Sequence, residues 1–154
     1  MRPRTIGLTL ALCVVAVAAT FASDANMGTW KLNEAKSKIA AGTVKNDTVV
    51  YEAAGESVKV VIDGTSADGK AVHTEWTGKF DGKDYAVTGD TLSDMRSYTR
   101  VNANTLAFTA KKAGKVTLNG RVVVSADGKS RTVTTHATDA KGMKVTSTTV
   151  YDKQ

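Results

Sequence analysis

The side chains best suited to chemistry are few and scattered. His73 and Glu75 stand two residues apart and share one face if Ala71 to Phe80 is extended, a spacing that can supply two metal ligands. A metal centre needs a third and a fourth ligand, and His136 is the only other imidazole in the chain. No metal and no cofactor is therefore expected, and the pair reads as a surface histidine beside a surface glutamate. The single cysteine is Cys13, Gly-x-Ser-x-Gly is absent, and no serine is set near a histidine by a recognisable motif. The glycines read as turn residues, so no phosphate-cradling loop is evident. The chain reads as a protein that binds, not an enzyme.

Arginines and aromatics offer binding chemistry instead. Arg96, Tyr98 and Arg100 share a strand face and would form an anion-binding stripe if turned inward, although such a row ordinarily reads as a solvated outer face. Arg121 is a candidate anion clamp, because a guanidinium can hold a carboxylate by two parallel hydrogen bonds. Against it, Val116, Leu118, Val122 and Val124 make the more apolar face of the same strand, which would turn Arg121 outward. Trp30 reads as a plug for one end of the fold. Trp76, Phe80, Tyr51, Tyr85, Phe108 and Met95 suit either a core or a cavity wall.

The elements that must position these residues are short strands. Asp68-Gly69-Lys70, Asp81-Gly82-Lys83 and Asp127-Gly128-Lys129 each lie between runs that alternate apolar with polar residues, the strongest short-range hairpin signal, with both central residues expected at φ > 0. Residues 23–154 hold 19 Thr and 16 Val, whose branched side chains suit a pleated surface. Strands are expected over Trp30 to Asn33, Thr48 to Ala54, Ser57 to Thr65, Ala71 to Phe80, Asp84 to Thr88, Thr91 to Val101, Thr105 to Lys112, Val116 to Ser125, Ser130 to Thr138 and Met143 to Asp152. Glu34 to Ala41 is the one plausible helix, with Asn33 as its cap and Gly42 at its end. Ten strands at this spacing predict an all-β, antiparallel up-and-down meander closing into a barrel, with at most one short helix. On Ala71 to Phe80 the face carrying Val72, Thr74, Trp76, Gly78 and Phe80 is expected inside. The last strand mixes Val145 and Tyr151 with Ser147 and Thr149 on one face, so a partly polar interior is expected.

Residues 1–22 have the build of a secretory signal: Arg2 and Arg4, then an apolar run from Ile6 to Val17, then Thr20-Phe21-Ala22 as a cleavage site. Export to a periplasmic or secreted location follows as an expectation, with residues 23–154 forming one domain. After cleavage no integral membrane segment is expected. Removing Arg2 and Arg4 takes the formal net charge from +6 to +4. Those charges are dispersed, which argues against nucleic acid as a partner. A monomer is expected, with a protein partner in the envelope as an alternative to a small ligand.

Gly28-Thr29-Trp30-Lys31-Leu32-Asn33 resembles the Gly-x-Trp opening of lipocalins and fatty-acid-binding proteins, the calycin superfamily, and Val150-Tyr151-Asp152-Lys153 resembles the closing strand of the fatty-acid-binding branch. The overall pattern is similar to small exported bacterial lipocalin-like proteins. The resemblance implies a lipocalin or fatty-acid-binding-protein-like barrel that holds a small hydrophobic or amphipathic ligand. It further implies a lid of two helices and an Arg-x-Tyr pair on the last strand that fixes a carboxylate. Here there is room for one short helix, and Thr149 stands where the Arg would be, so only Tyr151 carries over. An inward Arg on the strand holding Arg121 is also part of the family pattern. The expected ligand-binding set is thus Arg121, Tyr151, Trp76, Tyr85 and Met95. The alternative is a filled barrel whose outer face binds a protein.

Overall fold

A computed structural model of the chain describes residues 24–139 and 141–154. The signal segment expected at residues 1–22 lies outside the described residues. Ten strands form: β1 (Gly28–Lys38), β2 (Lys45–Ala54), β3 (Ser57–Thr65), β4 (Ala71–Gly78), β5 (Tyr85–Thr88), β6 (Met95–Asn102), β7 (Thr105–Lys112), β8 (Lys115–Val124), β9 (Ser130–Thr138) and β10 (Lys144–Lys153). Each pairs antiparallel with its neighbours in sequence, and β10 pairs back onto β1 to close the ring. Closure satisfies every strand's hydrogen-bonding sides and leaves no free edge. The fold is the expected all-β up-and-down barrel.

The helix expected over Glu34 to Ala41 does not form. β1 runs on to Lys38, where it rejoins β10 opposite Thr148 after an irregular stretch beyond Asn33. The Asn33 side chain does accept from the Lys36 amide, as a helix cap would. However, Ser37 Oγ accepts from the Val150 amide and Ser147 Oγ accepts from the Ala40 amide, so β10 captures the segment before a second turn can wind. Interstrand hydrogen bonds outweigh a helix too short to be stable alone.

The Asp-Gly turns also differ from expectation. In all three only the glycine takes positive φ, as at Gly128 (71°), and the aspartate does not. Asp68 and Asp127 instead bind the hydroxyls of Ser66 and Ser125, and those serines accept from the amides of Lys70 and Ser130. The result is a longer Ser-Ala-Asp-Gly-Lys loop used twice. Two adjacent positive-φ residues occur instead at Ala113 (48°) and Gly114 (78°), between β7 and β8. Alanine tolerates that strained conformation here because Asp94 Oδ2 accepts from its amide at 2.9 Å.

The two ends of the barrel are unlike. One end gathers residues 24–27, the connections at 54–57, 78–85, 102–105 and 124–130, and the chain end at Gln154. Its interior is packed with Trp30, Tyr51, Val58, Val60, Trp76, Tyr98, Leu106 and Tyr151, all at most 3% exposed. The other end gathers the connections at 39–44, 66–70, 89–94, 113–114 and 139–143. There, on the side formed by β8–β10, the inward residues Leu118, Thr135, Ala137, Val145, Ser147 and Thr149 are only half-buried. The face assignment of β4 holds, with Thr74, Trp76 and Gly78 buried and His73, Thr77 and Lys79 exposed.

Candidate functional site

β9 alternates Arg131, Val133, Thr135 and Ala137 inward with Ser130, Thr132, Thr134 and His136 outward, in register with Tyr151, Thr149, Ser147 and Val145 on β10. That alternation carries the Arg131 guanidinium into the closed half, where the residue is 2% exposed. Its Cζ lies 4.8 Å from the Trp30 ring centre, 5.0 Å from Tyr51 and 4.9 Å from Tyr151. Three aromatic faces around one desolvated cation contribute about 2 kcal/mol each at best. They do not replace hydrogen bonds: Nε and Nη1 are buried with no partner among the described residues. No carboxylate lies within 4.0 Å of Arg131 among the described residues.

A second guanidinium comes from β6. Arg96, Tyr98 and Arg100 pair with Ala110, Phe108 and Leu106, so the row takes the inward face: Arg96 and Tyr98 are buried, while Arg100 is exposed at the rim. The sequence reading fails here because the opposite face, Met95, Ser97 and Thr99, is nearly as polar and gives alternation nothing to sort. Arg96 Nη2 donates to Asp90 Oδ2 at 3.0 Å, and the Ser93 hydroxyl bonds the same oxygen. Its Nε is buried without a partner among the described residues. Burial works against the Arg96 charge, and Tyr98 and Asp90 more than offset it, so its pKa stands above the ordinary value. Arg100, at the closed rim, donates to Asp24 and covers Phe80 at 5.1 Å.

The phenols complete the constellation. Burial, with Tyr98 next to it, pushes the Tyr51 hydroxyl well above its usual pKa, while Arg131 pulls the other way. Burial likewise raises Tyr151. Both phenols are thus neutral hydroxyls at physiological pH, able to donate to an acceptor. Arg131 and Tyr151 face each other across the paired strands β9 and β10. The signal was present in the sequence: Arg131 alternates with Val133 and Ala137, the more apolar face.

The other expected site residues fall in different places. Trp76 is a core residue, its Nε1 donating to the Arg96 carbonyl at 2.9 Å and its ring stacked on Phe80 at 6.4 Å and 7°. Tyr85 is half-buried beside Trp76, with its hydroxyl donating to Asp81 at 2.9 Å. Arg121 does not line the interior: it is exposed on the outer face, opposite Ala107 and Thr134, because Val122 and Val124 take the inward positions. Met95 likewise points outward, opposite Ala86 and Lys111, since Arg96 holds the inward place. His73 sits on the outer face between Asp63 (2.6 Å) and Glu75 (3.3 Å), which raise its pKa. His136 is on another strand, bonded to Thr146.

Two shallow grooves lie on the outer surface of the described residues. One, of about 400 Å³, runs along Lys31 to Ala35 and Asp152; the other, of about 360 Å³, crosses the outer faces of β8–β10 beside Val116 and Lys144. No helix among the described residues is long and apolar enough to cross a membrane. No family model and no curated protein matches the chain. Among solved structures it is similar to EF1p2_mFAP2b bound to DFHBI, with 13% identity, a TM-score of 0.47, and 84% of this chain and 94% of that chain covered. It is also similar to a redesigned β-barrel, mFAP1, bound to DFHBI, with 15% identity, a TM-score of 0.43, and coverage of 86% and 98%.

Proposed function

We propose that this barrel is an exported, non-catalytic binding protein for a small amphipathic molecule. The ligand's anionic head sits at Arg131 with Tyr51 and Tyr151, and its apolar body runs toward the half-buried interior of β8–β10. One observation carries the reading. Two guanidiniums, Arg96 and Arg131, lie inside the barrel, and Asp90 is the one carboxylate bonded to either among the described residues. Burying an unpaired cation costs several kcal/mol, and a bound monoanion offsets that cost. Burial of the ligand's apolar body then adds roughly 25 cal/mol per Å² removed from water.

The test is native mass spectrometry of protein from its exporting host, prepared without detergent, followed by titration with 1-anilinonaphthalene-8-sulfonate as an apolar anion. A bound species of a few hundred daltons, or tight probe binding lost in Arg131→Met, supports the carrier. Intact Arg131→Met that binds the probe as the parent does sinks it. N-terminal sequencing of the same material tests export, with Ser23 as the expected first residue.

A second reading, a filled barrel that binds a protein partner, is favoured by the solid aromatic packing of the closed half. Trp76, Phe80 and Phe108 each pack on Tyr98, at ring separations of 4.8 to 5.8 Å. A clean apo mass together with no probe binding selects it.

A further inference from the structure

We infer that the open rim of the barrel docks on an anionic lipid surface, with the mouth facing the bilayer. Three of the large apolar side chains left in water are on this rim: Leu92 (62% exposed), Val116 (56%) and Met143 (63%). Leu92 and Met143 come from two separate connections and Val116 from the outer face of β8 just past a third, so no single loop's irregularity accounts for them. Alternate connections of an up-and-down barrel share one end, which brings the three to one rim. The connection at 39–44 adds Ile39, Ala41 and Val44 to the same end.

Charge at this rim is sorted by direction. Its carboxylates are engaged within the protein: Asp68 with Lys70 and Ser66, Asp90 with Arg96, Asp94 with the Ala113 amide, and Asp139 with the amides of Lys141 and Met143. Its lysines are largely not. Lys38, Lys112, Lys115, Lys141 and Lys144 are exposed, and none has an acidic partner within 4.0 Å among the described residues. Exposed apolar tips ringed by unneutralised lysines match the two layers of an anionic membrane surface, phosphates outside and acyl chains beneath. An acidic protein would match the lysines but leaves three separated apolar tips without a continuous patch to cover. At the closed rim Lys79 pairs with Glu56 and Arg100 with Asp24. Lys83, Lys129 and Lys153 there have no acidic partner among the described residues, so the open rim is set apart by the apolar tips beside its lysines. Because this inference uses the rim alone, it stands or falls separately from ligand binding at Arg131.

The experiment is co-sedimentation of the protein comprising residues 23–154 with phosphatidylcholine vesicles, with and without phosphatidylglycerol. Binding is expected only to the phosphatidylglycerol vesicles and should weaken as salt is raised. The Leu92→Asp/Met143→Asp variant should bind at least about tenfold more weakly, and replacing Lys112, Lys115, Lys141 and Lys144 by Gln should cost about a hundredfold or more. Val101→Asp/Val123→Asp, exposed on the outer wall, serves as the control and should bind like the parent. Thermal melts establish that each variant is folded, as expected for exposed positions. No preference for phosphatidylglycerol, or rim variants that bind as well as the parent, overturns the inference. So does a control that loses as much as the rim variants.

Discussion

The closed and open halves of this barrel are built from the same ten strands but on opposite rules. In the closed half aromatic rings interlock, and even a guanidinium is enclosed by three of them. In the open half the inward positions of β8–β10 are Leu118 and otherwise Thr, Ser, Ala and Val, only partly shielded. One half holds the fold together. The other, along β8–β10, leaves its inward side chains half-buried. The difference sets a tightly packed end against a loosely packed one in a single sheet, and the buried cation Arg131 lies at the packed end.

That contrast breaks most sharply by truncation. Trp76→Ala should cost about 3–5 kcal/mol by chemical denaturation, since the indole is 1% exposed and touches three other rings. A loss under 1 kcal/mol would mean the closed half is loose. Next comes Arg131→Met, expected to raise the stability of the ligand-free protein by about 1–4 kcal/mol, because a similar-sized apolar chain replaces an underbonded cation. A destabilised variant would show that the aromatic enclosure alone satisfies the charge. Gly120→Ala should cost about 1–3 kcal/mol, as its Cβ would lie 2.6 Å from the Thr134 carbonyl and 2.7 Å from the Phe108 ring. In the open half, Thr149→Val should change stability by less than about 1 kcal/mol. A cost like that of Trp76→Ala would erase the distinction between the halves.

The smallest effect lies outside both. Asp63 and Glu75 hold the exposed His73 above its ordinary pKa of 6.5. A raised folded value means that its contribution to stability is full below 6.5 and is lost as pH rises through the folded pKa. Titration of the His73 ring by NMR should give a midpoint above 6.5, and His73→Gln should remove the slope of stability across that window. A midpoint at or below 6.5 would show that the two carboxylates do not act on the ring.

Much of this plan is legible in the sequence where one strand face is clearly more apolar than the other. β4 is such a case, with Trp76 and Gly78 set against His73 and Lys79, and its faces read correctly. The same rule turns Arg121 outward beside Val122 and Val124, and applied to β9 it turns Arg131 inward beside Val133. It gives no answer on β6, where both faces are polar and only the register with β7 decides. Nor does it foresee the fate of Glu34 to Lys38, whose local helix signals are real. Their competitor, β10, lies more than a hundred residues away, and its hydroxyls and amides prevail only once the ring closes.

That closing seam also sets a schedule. β1 is among the first strands to emerge during synthesis, yet its partner across the seam is the last, and the Gln154 amide reaches back to the Thr29 carbonyl at 3.0 Å. Until Lys144–Lys153 is free to pair, nine strands form at most an open ribbon with β1 and β9 unprotected at its flanks. Maturation of the barrel is therefore a late, post-synthetic event, and a chain stopped short of β10 becomes a self-associating species and not a smaller barrel. The closeness of Thr29 and Gln154 means that residues 24–154 can be joined end to end and reopened at Asp127-Gly128 as a circular permutant. In that permutant the former seam would be an ordinary hairpin and the late step would move to β8 and β9.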